Sequence, residues 1–257
     1  MLDSPNLILL GIVASLLTGL ATGVGSLPIF FTTNISRRVL DSLLGFAAGV
    51  MLAATSFSLI VPAIEYGGGG VRGASICLIG ILFGGLFLDL TDKYFPDVNL
   101  LQGPDEGQNH LMRKIWLFTI AITVHNFPEG LAVGVGFGNG DIQNGLSLAI
   151  AIGLQNLPEG LAVALPFTRE GFPAWKAFLI ATLTGMVEPI GGAIGSGLVH
   201  LARPILPYCL AFAAGAMLFV IAYEIIPESQ KGIASKLATH ALLVGFVTMM
   251  FLDNVLG

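Results

Sequence analysis

The sequence predicts an all-α integral membrane protein: eight transmembrane helices in a 3+2+3 inverted-repeat arrangement. Three observations predict it. The composition is 54% apolar and only 11% charged over 257 residues, with a mean hydropathy of +0.86, where soluble domains carry about 25% charged residues. Eight apolar runs are long enough to cross a bilayer, which takes about 20 residues, and none shows the alternation of a membrane barrel strand. Two pairs of these runs also repeat each other in sequence.

The expected spans are 7–32, 40–63, 73–91, 114–138, 143–168, 174–200, 204–227 and 234–256, forming one transmembrane domain, 1–257. The first run is too long for a cleavable signal and follows an acidic rather than a basic start. Small residues four apart, as in Gly19/Gly23, Gly45/Gly49, Gly80/Gly84, Gly191/Gly195 and Ala211/Gly215, let helix backbones approach closely. Between the third and fourth spans, residues 93–112 contain Pro96, Gly103, Pro104 and Gly107, which predicts a flexible loop. Loops following odd-numbered spans hold nine Lys and Arg residues (37, 38, 93, 113, 114, 169, 176, 231 and 236), and the opposite loops hold Arg72 and Arg203 alone. The positive-inside rule makes the first set cytoplasmic and puts both termini outside. Cys77 and Cys209 stand apart, with no spacing for metal or redox work.

The repeats carry the organisation. Leu44-Gly-Phe-Ala-Ala-Gly-Val-Met-Leu52 in the second span matches Leu210-Ala-Phe-Ala-Ala-Gly-Ala-Met-Leu218 in the seventh. His125-Asn126-Phe127-Pro128-Glu129-Gly130-Leu131-Ala132-Val133 in the fourth matches Gln155-Asn156-Leu157-Pro158-Glu159-Gly160-Leu161-Ala162-Val163 in the fifth. Each matching pair crosses the membrane in opposite senses. Similar sequence on oppositely directed helices marks an inverted repeat, with its substrate site near the midplane.

Polar groups at that depth are costly and usually functional. His125 and Glu129 share a helix face, as do Gln155 and Glu159. Glu188, in Met186-Val187-Glu188-Pro189 of the sixth span, is a third carboxylate at mid-depth, and no Lys or Arg lies at that depth. An unpaired buried carboxylate costs several kcal/mol, of order 5. A cation that is not part of the chain relieves that penalty. Pro128, Pro158 and Pro189 strip helical partners from the carbonyls four residues before them, and freed carbonyls at depth are tolerated where they line a polar cavity. Imidazole, carboxylate and amide oxygen, without thiolate, suit zinc, iron(II), manganese or cadmium. Glu129 and Glu159 are placed to bridge two ions, one held by His125 and Gln155, the other by Asn126, Asn156 and Glu188. Met51 is either a thioether ligand or core filler. Glu65 and Asp253 stand at the outer helix ends and Glu224 and Asp92 toward the inner side, as stations on a transport path or as solvated helix ends.

At the paired motifs the chain resembles the ZIP (Zrt/Irt-like) family of divalent metal transporters, in its bacterial GufA-type branch, and the resemblance covers essentially the whole chain. It implies passage of zinc and related divalent metals into the cytoplasm by alternating access at a binuclear site. His125, Glu129, Gln155 and Glu159 match the first metal position, with Met51 at a methionine of this branch. Asn126, Glu129, Asn156, Glu159 and Glu188 match the second. Some relatives have Asp where this chain has Asn156, which lowers the charge of the second position. The resemblance favours a homodimer in the plasma (inner) membrane. The expected partners are divalent metal ions and the lipid bilayer, with no nucleic acid, no prosthetic group and the metal as substrate. Two rival readings are an intramembrane metalloenzyme and an ion-coupled carrier of an organic solute. The His-Glu-x-x-His helix of zinc proteases is absent, and no basic or aromatic recognition group is seen at mid-depth for an organic solute.

Overall fold

The computed structural model describes residues 4–94, 106–201, 203–232 and 235–256. Every regular element among them is helical: α1 (Ser4–Ser26), α2 (Arg37–Ala54), α3 (Val61–Tyr66), α4 (Gly70–Tyr94), α5 (Glu106–Gly138), α6 (Ile142–Arg169), α7 (Ala174–Gly185), α8 (Glu188–Leu201), α9 (Leu206–Val220), α10 (Ile226–Gln230) and α11 (Ser235–Leu256). Seven helical segments are long and apolar enough to cross a membrane: Asn6–Phe30, Arg37–Tyr66, Gly70–Leu90, Ile142–Arg169, Ala174–Val199, Leu206–Gln230 and Ser235–Val255. The span expected at 114–138 lies within α5, which is 33 residues long. Residues 106–112, expected in the flexible loop, belong to α5 instead; Glu106, Gln108, Leu111 and Met112 there are good helix formers. Residues 95–105 of that loop, and the side chain of its His110, lie outside the described residues.

Proline decides where the long helices change pitch. Pro62 and Pro227 have no N–H to offer the carbonyls of Ser58 and Tyr223. The chain answers both with a π-helical turn, Thr55–Ile60 and Ile221–Ile225. Val61 and Ile226, just before the prolines, bond five residues back, to Ser56 and Ile221. Pro189 does more, because the run expected to be continuous over 174–200 is broken between α7 and α8. The carbonyl of Gly185 has lost its donor, Met186 N–H turns back to Leu183, and α8 begins at Glu188. Helices α5 and α6 run through Pro128 and Pro158.

Packing divides the helices into two groups. In one, α1, α5, α6, α7 and α8 touch one another; in the other, α2 lies along α11 and α4 along α9. The groups meet where α2 crosses α6 and α9 crosses α5. Glycines make the closest approaches, and they come in matched sets. A methyl group at Gly49 of α2 would overlap the Leu242 carbonyl of α11; one at Gly215 of α9 would overlap the Ile81 carbonyl of α4. Gly245 sits on the Phe46 carbonyl, and Gly84 on the Phe212 carbonyl. Gly160 sits on the Thr22 carbonyl, and Gly130 on the Glu188 carbonyl. Positions 166 apart (46 and 212, 49 and 215, 22 and 188) thus play the same part. Gly19 and Gly185, also 166 apart, rest on each other: a methyl at either would overlap the other's carbonyl.

Candidate metal site

The two motif helices lie side by side, and their polar residues turn inward. Asn126, Glu129, Gln155, Asn156, Glu159 and Glu188 are all fully buried. Within a helix a residue is followed on its own face by those three and four positions on, so each Asn lies a turn before its Glu. Gln155 Nε2 donates to Glu129 Oε1 and joins α6 to α5 at the level of the motifs. The Gln155 nitrogen is thereby committed, and its Oε1 is left buried with no hydrogen-bond partner among the described residues. An amide whose N–H₂ is fixed by a carboxylate presents its oxygen elsewhere, which is what a cation needs.

A second cluster joins three helices. Asn156 Nδ2 donates to Glu188 Oε1 at 2.7 Å and to the Thr18 carbonyl of α1, also at 2.7 Å. Thr18 Oγ1 donates to the other oxygen of Glu188 at 2.5 Å. Glu188 stands in the first turn of α8, where the helix dipole favours negative charge. Asn156 Oδ1 has no hydrogen-bond partner among the described residues, and neither has any polar side-chain atom of Asn126. A buried polar atom left unmatched costs about 1–3 kcal/mol, so three amide oxygens (Asn126, Gln155 and Asn156) are held where only a ligand or water satisfies them.

The other expected ligands are placed as follows. His125 is one helical turn before Glu129 on α5, and its imidazole lies outside the described residues. Met51 is fully buried on α2, and among the described residues no hydrogen bond joins it to the motifs. Without the His125 imidazole, no three described His, Cys, Asp or Glu side chains converge on one metal position. Of the expected path residues, Glu65 is exposed at the end of α3, and Glu224 is half-buried in the second π turn. The Asp92 side chain lies outside the described residues. Asp253 accepts hydrogen bonds from Ser58 at 2.5 Å and Ser147 at 3.3 Å, tying α11 to the first π turn and to α6.

A cavity of about 590 Å³ opens between the two helix groups at the Lys- and Arg-rich end, with Arg37, Leu44, Phe118, Arg169 and Glu228 on its walls. It reaches Ala162, three residues beyond Glu159 on α6. Arg37 is engaged by Asp41 at 2.6 Å and by Glu228 at 2.8 Å, and Lys231 by Glu228 at 2.6 Å. At the opposite end the Asp253 cluster and a Tyr66–Asp141 hydrogen bond of 3.4 Å bring the groups together.

The sequence reading missed Thr18, Ser58 and Ser147. Thr18 had a legible signal: Ser15, Thr18, Thr22 and Ser26 recur at helical spacing along an otherwise apolar segment, and all four are buried. That is a polar stripe turned toward protein rather than lipid.

Comparison with known proteins agrees with this architecture. A sequence profile described as ZIP Zinc transporter matches residues 99–253. The chain is similar to Zinc transporter GufA of Myxococcus xanthus, 45% identical over 96% of this chain and 99% of that one. It is 40% identical to Zinc transporter ZIPB of Bordetella bronchiseptica, over 92% of this chain and 78% of the relative. It is 37% identical to Zinc transporter ZIP11 of Xenopus tropicalis, over the full length of both. These relatives are named as transporters, not enzymes, and so disfavour the metalloenzyme alternative. With paired motifs on adjoining buried helices, and similarity running the length of the sequence, the chain belongs to the ZIP family and is a multi-pass membrane protein.

Proposed function

We propose that the protein carries zinc and related divalent ions (cadmium, iron(II) and manganese among them) into the cytoplasm by alternating access. The observation that carries this reading is the burial of Glu129, Glu159 and Glu188 beside three amide oxygens that lack hydrogen-bond partners among the described residues. Two metal positions share Glu129 and Glu159. The first adds His125, Gln155 and Met51; the second adds Asn126, Asn156 and Glu188. The family's named cargo supports zinc, and the absence of thiolate from the ligand set agrees with it.

The matched glycine contacts and paired π turns support an eight-span 3+2+3 inverted repeat, with α5 as the eighth span. The grouping of α1, α5, α6, α7 and α8 against the other helices supports motion of one group against the other, with this conformation open toward the Lys- and Arg-rich end. That end is cytoplasmic by the positive-inside rule, in the plasma membrane with both termini outside. A homodimer remains the family-based expectation.

Two experiments test the reading. Purified protein in liposomes should take up zinc, with cadmium, iron(II) and manganese competing; absence of zinc flux above empty vesicles rejects it. A cysteine at Gly70 should react with an impermeant thiol reagent from outside intact cells and one at Gln102 should not; the reverse pattern inverts the orientation.

A further inference from the structure

Thr18 belongs to none of the expected ligand sets, yet it makes the shortest described bond to Glu188. We infer that Thr18 is a positioning residue of the transport site: with Asn156 it clamps Glu188, so that the second metal position fills after the first and more weakly. This rests on the transport reading above.

The clamp has three strands. One Glu188 oxygen takes the Thr18 hydroxyl at 2.5 Å, and the other takes the Asn156 amide at 2.7 Å. The same amide nitrogen also donates to the Thr18 carbonyl at 2.7 Å. Both hydrogens of Asn156 Nδ2 are thereby used, which fixes the side-chain orientation and leaves only a neutral oxygen for a cation. All three residues are buried, with Thr18 at 3% exposure and the others at 0%. An ion seeking the second position must draw on a carboxylate whose two oxygens already accept short, charge-assisted bonds, the stronger class of hydrogen bond. The first position differs. Beyond the shared Glu129 and Glu159 its expected ligands are His125, Gln155 and Met51, and Glu188 is not among them. The clamp also brings α1 to the second position, otherwise built from α5, α6 and α8.

The test is zinc titration of the full chain in detergent, stripped with chelator and read against a competing fluorescent chelator, with the unfolding temperature of the metal-free protein measured alongside. The parent protein should bind two zinc ions in steps at least tenfold apart. Thr18→Val should bring the steps together by about tenfold, and Thr18→Ser, which keeps the hydroxyl, should restore the parent separation. Asn156→Asp removes both amide donors, adds a charge and should close the gap further; it carries the test should Thr18→Val fold poorly. A parent that binds one zinc while Asn156→Asp binds two is the limiting form of the same result. The proposal is overturned if the parent binds two ions with equal affinity, if Thr18→Val shifts both steps alike as a merely structural lesion would, or if neither variant changes the separation. A parent that binds no zinc overturns both this proposal and the transport reading. A first step indifferent to Glu129→Gln rejects the expected first site while leaving the clamp measurable.

Discussion

Asn126 and Asn156 occupy the same place in the two copies of one motif, and the fold treats them differently. Asn156 is tied by Glu188 and the Thr18 carbonyl. Asn126 is equally buried, yet neither of its amide atoms has a hydrogen-bond partner among the described residues. The motif itself does not cause this. Glu188 stands 166 positions after Thr22, and at that pair of corresponding positions one half of the molecule carries a carboxylate and the other a hydroxyl. The two motif helices are similar in sequence, and the residues packed against them give their asparagines different surroundings.

The largest test of that contrast removes what both halves share. Glu129→Gln and Glu159→Gln keep shape while each takes one charge from a site with few. Zinc flux in liposomes should fall on the order of tenfold or more in each, because charge-assisted contacts are roughly twice as strong as neutral ones and a change of about 1.4 kcal/mol is tenfold. Parent rates in both variants would reduce the paired motif to a packing device. Next in size is a test of equivalence rather than difference. Gly19→Ala and Gly185→Ala each drive a methyl into the other's backbone, and overpacking of this kind costs about 1–3 kcal/mol. Their unfolding temperatures in detergent should drop by similar amounts; a large loss in one alone would break the correspondence between halves. The smallest effect separates the asparagines. Asn156→Ala leaves Glu188 short of a donor and should destabilise the metal-free protein by about 1–3 kcal/mol. Asn126→Ala removes unmatched polar atoms and should leave metal-free stability equal or raised while weakening zinc binding. Equal losses in the two variants would erase the contrast drawn here.

Much of this was legible in the sequence, and the illegible parts share a cause. Apolar runs located the long helices because burial in hydrocarbon is a local, additive demand on composition. Small residues four apart, such as Gly45/Gly49 and Gly80/Gly84, marked real close approaches. Pro62, Pro189 and Pro227 stood in plain view, but the sequence did not say which would yield a π turn and which a break. That depends on what the freed carbonyl meets, and at Gly185 it meets the backbone of α1. The ligand residues were named from motif spacing, whereas the clamp on Glu188 joins residues 170 and 32 positions apart. No periodicity within one helix encodes it. Only the stripe of Ser15, Thr18, Thr22 and Ser26 hinted that α1 has polar business inside the protein.

The crossing of Gly19 over Gly185 has a mechanical consequence. Most packed helices interlock through side chains, whose ridges seat in grooves at a few preferred angles. Here bare backbone rests on bare backbone, with the side chains of Thr22 and Thr182 close beside it. The separation of the two helices is therefore set by main-chain contact rather than by the size of a side chain. A methyl group at either glycine would force α1 and α7 apart, and with them strain the Thr18–Glu188 bond that lies beside the crossing.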